Sequence, residues 1–250
     1  MMPSLVARCL AGALLVLTSA CVQQQQAPSV SPAASPVLSW KALLIGGDDA
    51  QPVFSNAVDT LQQRLAAFGV AAQDIAVLKS DAPPGEGVAN RANVERQVHR
   101  LAGTAATGCF VFITAHGYPR GGLVLARSRI VIRPGDLDRL LERACGALPT
   151  VVIASGCFSG VYTDDATLRR PNRIILAAAR ADLPSFGCSA SERYTYYDGC
   201  FLDALQQGAP WQAIAARVSQ CVSGIERRSG DPPSHPQAFF GASVARLAAF

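Results

Sequence analysis

Cys109-Phe110-Val111-Phe112-Ile113-Thr114-Ala115-His116-Gly117 is the stretch on which the fold turns. A nearly unbroken apolar run of strand length, rich in β-branched and aromatic residues, reads as a strand covered on both faces. It ends abruptly at a histidine and a glycine. Two other runs have the same form. Lys41–Ile45 stops at Gly46-Gly47-Asp48-Asp49, and Thr150–Ala154 runs into Ser155-Gly156-Cys157. Helical patterns separate these runs, the alternation of an α/β protein with a mostly parallel sheet. In such open sheets ligands bind beyond the carboxyl ends of the strands. Parallel neighbours would therefore carry Asp48, His116 and Cys157 on one rim.

The remaining elements follow from periodicity. Val53, Phe54, Ala57, Val58, Leu61, Leu65 and Phe68 recur at helical spacing and predict a helix over Val53–Phe68. Asp74–Leu78 reads as a strand, and Val94, Val98 and Leu101 mark a helix. Leu123–Leu125 and Ile130–Ile132 read as a hairpin, and Pro134–Ala144 as a helix with proline near its start. Arg173–Ala179 reads as a strand, Phe201–Leu205 and Pro210–Ile225 as helices, and Gln237–Ser243 as a last strand. Tyr194, Tyr196 and Tyr197 have two readings, the lining of a substrate groove or, as the favoured one, a half-buried strand with aromatic packing.

The chemistry offered at the rim is that of a thiol and an imidazole. Only a thiolate attacks, and an adjacent histidine can take its proton and return it to a leaving amine. Gly156, Ser159 and Gly160 surround Cys157 with small residues, which lets a substrate backbone approach. The Cys157 and Gly117 N–H groups are candidates for an oxyanion hole, where each donor is typically worth about 10²–10³ in rate. Ser159 lies one residue late for the Gly-x-Ser-x-Gly elbow of a serine hydrolase. His99, His116 and His235 show no metal-ligand spacing, no two cysteines stand three apart, and no phosphate-binding Gly-Lys loop occurs. No cofactor is expected.

From Phe112 to about Leu205 the chain resembles the legumain family of cysteine peptidases, relatives of the caspases. Phe112–Gly117 resembles the strand ending in that family's catalytic His-Gly, and Gly122-Leu123-Val124-Leu125 resembles its hairpin. Ala154-Ser155-Gly156-Cys157-Phe158-Ser159-Gly160 resembles the Glu-Ala-Cys-x-Ser-Gly block around the nucleophile. Leu176–Arg180 and Ser185-Phe186-Gly187-Cys188 resemble the next strand and its Ser-Tyr-Ala-Cys ending. The resemblance implies a caspase-like three-layer α/β/α sandwich, a His116–Cys157 dyad without metal, and a peptide or protein substrate. It also implies hydrolysis or, with an amine acceptor, transpeptidation. A caspase-like scaffold kept only for binding is the alternative from a different class. Asp48 falls where the family carries an Asn that orients the histidine, and its other reading is a local cap. Ser155 stands in place of the family's Glu, and Ala115 in place of an Asp. Ser185 matches a pocket serine, and Asp198 lies one place from a pocket acid. Ser155, Ser185 and Asp198 are accordingly the expected substrate-binding residues. The Arg-His pair with which legumains hold a substrate Asn has no counterpart between Ala50 and Asp59.

The N-terminus reads as an export signal. Arg8 precedes an apolar run, Cys9–Leu17, too short for a spanning helix of about 20 residues. Leu17-Thr18-Ser19-Ala20-Cys21 resembles a bacterial lipobox, with Thr18 a departure. Residues 1–20 are thus the expected signal peptide. Residues 21–37, rich in Gln, Pro, Ser and Ala, are the expected tether, lipidated at Cys21 or, if an ordinary signal peptidase cuts after Ala20, simply released there, and residues 38–250 are the expected peptidase domain. The expected location is the cell envelope, facing the periplasm, with the membrane as partner through the lipid. Val22 lacks the Asp of inner-membrane retention and points to the outer membrane.

The formal charge is +4, and the arginines are scattered, so no basic stripe marks a nucleic-acid partner. Arg169, Arg170 and Arg173 are the one dense group, facing Asp164 and Asp165. Half the residues are apolar, enough for a substantial core. Beyond the leader and Cys21 six cysteines remain. With Cys157 a thiol, an odd number is left. Cys109, inside an apolar strand, is the expected buried thiol, and Cys145, Cys188, Cys200 and Cys221 are the expected bridge formers.

Overall fold

In β1 (Ser39–Gly46), Ala42 and Leu44 join one apolar cluster while Leu43 and Ile45 join another, and all four are buried. This period-two alternation with both faces covered is what a central parallel strand requires. The computed structural model describes residues 38–104 and 107–250, so the signal, Cys21 and the tether lie outside the described residues. After β1 the chain forms α1 (Val53–Ala67), β2 (Ile75–Lys79), α2 (Arg91–His99) and β3 (Thr107–Thr114). Then come β4 (Gly117–Tyr118), β5 (Gly122–Leu125), β6 (Ile130–Ile132), α3 (Pro134–Ala144) and β7 (Thr150–Ser155). The last elements are α4 (Val161–Asp164), β8 (Arg173–Ala177), α5 (Tyr196–Ala204), α6 (Trp211–Ser229) and β9 (Gln237–Phe240).

The main sheet has the order β2-β1-β3-β7-β8-β9, parallel throughout except for β9. Phe110 and Phe112 face the cluster that α1, α5 and α6 cover. Val111 and Ile113 face the one that α2 and α3 cover. Two helical layers on one sheet make the three-layer α/β/α sandwich expected from the sequence. β4, β5 and β6 form a separate antiparallel sheet, whose first strand the sequence reading lacked.

Several boundaries differ from the sequence reading. The tyrosines are not a strand. Thr195 caps α5 by accepting the Asp198 N–H at 3.0 Å, and Tyr197 is buried with its ring stacked on Phe201. The Thr-x-x-Asp cap signal outweighs the β preference of the aromatics. The arginine cluster does not face Asp164 and Asp165. Arg173, 1% exposed, and Arg170 both bind Asp138 of α3, and Arg169 lies over the Phe239 ring. The cysteine assignment is also corrected. Cys109 pairs with Cys145 and Cys200 with Cys221, while Cys157 and Cys188 are free. Parity held, but Cys109 on β3 faces the C-terminus of α3, where Cys145 sits.

Candidate active site

The rim forms because β3 and β7 are parallel neighbours in register. Thr114 is opposite Ser155, the last residue of each strand. His116 and Cys157 each lie two residues further on. The two chain ends then run against each other. The Ala115 N–H donates to the Ser155 carbonyl at 3.1 Å. A Cβ on Gly156 would stand 2.3 Å from the Ala115 carbonyl oxygen, and a Cβ on Gly117 would stand 1.7 Å from that of Cys157. Only glycine allows these approaches, so the two Gly residues seen in the sequence bring histidine and cysteine segments into backbone contact.

Cys157 sits at a strained turn. Phe158 has φ 59°, a left-handed conformation that is costly for a bulky side chain. Its N–H is held by the Leu183 carbonyl at 2.8 Å. The turn lifts Cys157 off the end of β7, half-exposed, and its N–H has no acceptor among the described residues. The thiol is held by Ser185. Sγ accepts from the Ser185 N–H at 3.3 Å and approaches the Ser185 carbonyl oxygen at 3.4 Å. No hydrogen bond joins Sγ to the His116 ring in this structure. Such contacts are often loose in free enzymes and tighten with substrate.

His116 is braced by packing. The Phe54 ring, at the start of α1, meets its face edge-on with centroids 5.2 Å apart. The His116 carbonyl accepts from the Val124 N–H at 2.9 Å, which fixes the segment to β5. Tyr162, on α4 just past Cys157, reaches back into the same small sheet. Its hydroxyl accepts from the Leu123 N–H at 3.0 Å and donates to the Ile132 carbonyl. Burial pushes this phenol well above its ordinary range, so it stays protonated.

The structure places the other sequence candidates as follows. Asp48 is on the rim and 8% exposed, but its carboxylate accepts the Ala50 N–H at 2.7 Å in a local turn, and it has no hydrogen bond to His116. Ser185 lies against the sulfur. Ser155 and Asp198 do not line an open pocket, being 1% and 0% exposed. Asp198 lies beneath the rim, because Thr195 caps α5 and turns the carboxyl of its first turn inward, where Thr114 Oγ1 donates to it at 2.6 Å. Burial pushes the Asp198 carboxyl up to about 6, and the Thr114 hydroxyl that donates to it opposes that rise. Sequence reasoning missed Phe54, Phe158 and Tyr162. The only advance signal was Phe158 directly following the Cys157 turn residue. Ser159, the serine-hydrolase alternative, is buried and accepts the Ala179 N–H at 3.2 Å.

A cavity of about 560 Å³ is lined by Arg120 and Gly121 of the β4–β5 turn, Arg133, Pro134 and Asp136 at the start of α3, and Val161 and Asp164 of α4, and neither His116 nor Cys157 lines it. Among the described residues no cluster of His, Cys, Asp or Glu is arranged to hold a metal ion. Nor is any helix among them long and apolar enough to cross a membrane.

A half-exposed free cysteine and a histidine at the ends of adjacent parallel strands, in a three-layer sandwich, define a cysteine peptidase of caspase-like architecture. The family model described as Peptidase C13 family matches residues 87–214. The chain belongs to the Peptidase C13 family, which is the family read from the sequence blocks, and it is a cysteine-type peptidase. Among solved structures it is similar to caspase-1 from Spodoptera frugiperda, with a TM-score of 0.60 and 11% identity, over 85% of this chain and 92% of that one. At that identity the likeness is one of fold. Comparison with curated proteins gives no match.

Proposed function

We propose that this chain is a cell-envelope endopeptidase that cleaves peptide bonds through a thioester on Cys157, with His116 as the acid–base partner. His116 takes the thiol proton and Sγ attacks the scissile carbonyl carbon. The oxyanion that develops is met by the Cys157 and Gly117 N–H groups. Collapse breaks the C–N bond, and the imidazolium gives its proton to the leaving amine, leaving the acyl group on sulfur. Water, deprotonated by His116, then breaks the C–S bond, and the proton returns to the thiol. Because the leaving amine must lie within reach of His116, the leaving-group half of the substrate lies on the His116 side of Cys157.

The single observation that carries this reading is the backbone contact of Gly117 with Cys157, which puts the histidine segment against a free thiol whose N–H is unclaimed. The export signal and Cys21 motif support an envelope location, with a lipid as anchor. The test is a peptide-library cleavage profile of the wild type against Cys157→Ala, run with and without an added amine. Cleavage by the wild type alone is expected, with water as the acceptor. Amine-capped products would make the chain a transpeptidase. Equal cleavage by both proteins would remove Cys157 from the chemistry.

A further inference from the structure

Asp198 is a carboxyl sealed under the site and left unused by the reaction above. It ties the first turn of α5 to the end of β3. Thr114, at the end of β3, donates its hydroxyl proton to Oδ2 at 2.6 Å. Ser155, opposite Thr114 at the end of β7, is buried with its hydroxyl unpartnered among the described residues, and Thr195 caps the helix that carries Asp198. Thr114 and Ser155 each precede a dyad residue by two positions. The segment that holds the sulfur rests on the same turn of α5, through Tyr196. The Tyr196 N–H donates to the Phe186 carbonyl at 3.1 Å, and a Cβ on Gly187 would stand 2.6 Å from the Tyr196 nitrogen. The first turn of α5 therefore supports Phe186 and Gly187, which continue directly from Ser185. Two residues after Asp198, the Cys200–Cys221 disulfide fixes α5 to α6.

Resting on the dyad reading, we propose that Asp198 is a positioning residue: its bond to Thr114 sets the end of β3 relative to the first turn of α5 and the Ser185 segment which that turn supports, and so sets the attack geometry of Cys157 and His116. A buried carboxyl with one oxygen bound by a single donor is expensive unless the fold needs it there, and a leucine would pack the same space without that cost. What leucine cannot do is accept the Thr114 hydroxyl and so tie the first turn of α5, whose Tyr196 N–H holds Phe186, to the end of β3. Asp198 touches neither substrate nor sulfur, so its effect falls on the chemical step. Misplacement by about 1 Å costs on the order of 10² in rate.

The experiment compares Asp198→Ala and Asp198→Asn with the wild type. It measures kcat, KM and melting temperature on a peptide that the wild type cleaves. In parallel, the rate of Cys157 carboxamidomethylation by iodoacetamide is followed by peptide mapping. Asparagine keeps an acceptor for Thr114 and alanine does not. The expected result is a fall in kcat of about tenfold or more for Asp198→Ala with KM unchanged, and recovery of most of that loss in Asp198→Asn. Wild-type kcat in Asp198→Ala overturns the proposal, as does a raised KM with unchanged kcat, which would make Asp198 a substrate-binding residue. If Asp198→Ala does not fold, Thr114→Val and Thr114→Ser decide. Slowing in the valine variant alone supports the proposal, and wild-type kcat in both overturns it. Cys157→Ala separates this from the parent reading. If that variant is inert while the Asp198 series is unimpaired, only the positioning role falls.

Discussion

Gly117 shows how narrowly single residues define this site. Its missing side chain leaves room for the Cys157 carbonyl, which a Cβ would meet at 1.7 Å. No rotamer relieves a clash between backbone and Cβ. Gly117→Ala should therefore part the two segments, with cleavage falling about 10²-fold or more in a steady-state assay. Circular dichroism should remain native, because the displacement is confined to the rim. Asp198 carries a different signature. Its carboxyl is pushed up to about 6 by burial, against about 3.9 in an unfolded chain. Between those values the folded protein binds more protons than the unfolded one, so this residue's contribution to stability declines as pH rises from about 4 to 6 and is flat above. The ionised group costs about 3 kcal/mol at neutral pH. Melting temperatures of Asp198→Asn and wild type, measured from pH 4 to pH 8, should diverge in favour of the variant across that window. The same variant would thus be no less stable than the wild type at pH 8 while remaining a probe of catalysis.

Among the elements, the buried strands were legible because both faces of the sheet are covered: β1, β3 and β7 read as unbroken apolar runs. α3 was legible to the residue, with Pro134 at its start and Leu137 and Leu141 on its buried face. α5 was not, because its opening Tyr-Tyr pair carries the composition of a strand and only the Thr195–Asp198 cap reveals a helix. The clasp of α3 onto β8 was also hidden, since Asp138 and Arg173 are 35 residues apart and sequence order favoured the nearer Asp164 and Asp165. Burial alone would raise the Asp138 carboxyl, but hydrogen bonds and charge from Arg170 and Arg173 outweigh it and hold it below the usual range. A depressed carboxyl stabilises the fold above its unfolded value, and the contribution fades as pH falls below about 4. Asp138→Ala strands Arg173 without its carboxylate and should cost about 3–5 kcal/mol in denaturant unfolding at pH 7. The deficit relative to wild type should narrow in acid.

Across the whole molecule, the candidate site was readable where residue type and strand ending coincide, as at His116 and Cys157. It was unreadable where it depends on three-dimensional proximity: Phe54 bracing the imidazole, Tyr162 tying α4 to the small sheet, and Asp198 buried against Thr114 where the sequence suggested a pocket residue. The disulfides follow the same division. The sequence implied one odd thiol, yet the facing of Cys109 and Cys145 is a property of how α3 docks on the sheet. The architecture gathers its reactive groups at one end by placing parallel strands side by side, so its activity stands or falls with the cooperation of two side chains on adjacent strands. That cooperation is open to a direct kinetic reading. The rate of Cys157 alkylation by iodoacetamide at pH 7, followed by peptide mapping with Cys188 as internal reference, is compared in wild type and His116→Ala. Loss of the imidazole should slow Cys157 by about tenfold or more and leave Cys188 unchanged. Equal Cys157 rates in the two proteins would contradict the dyad.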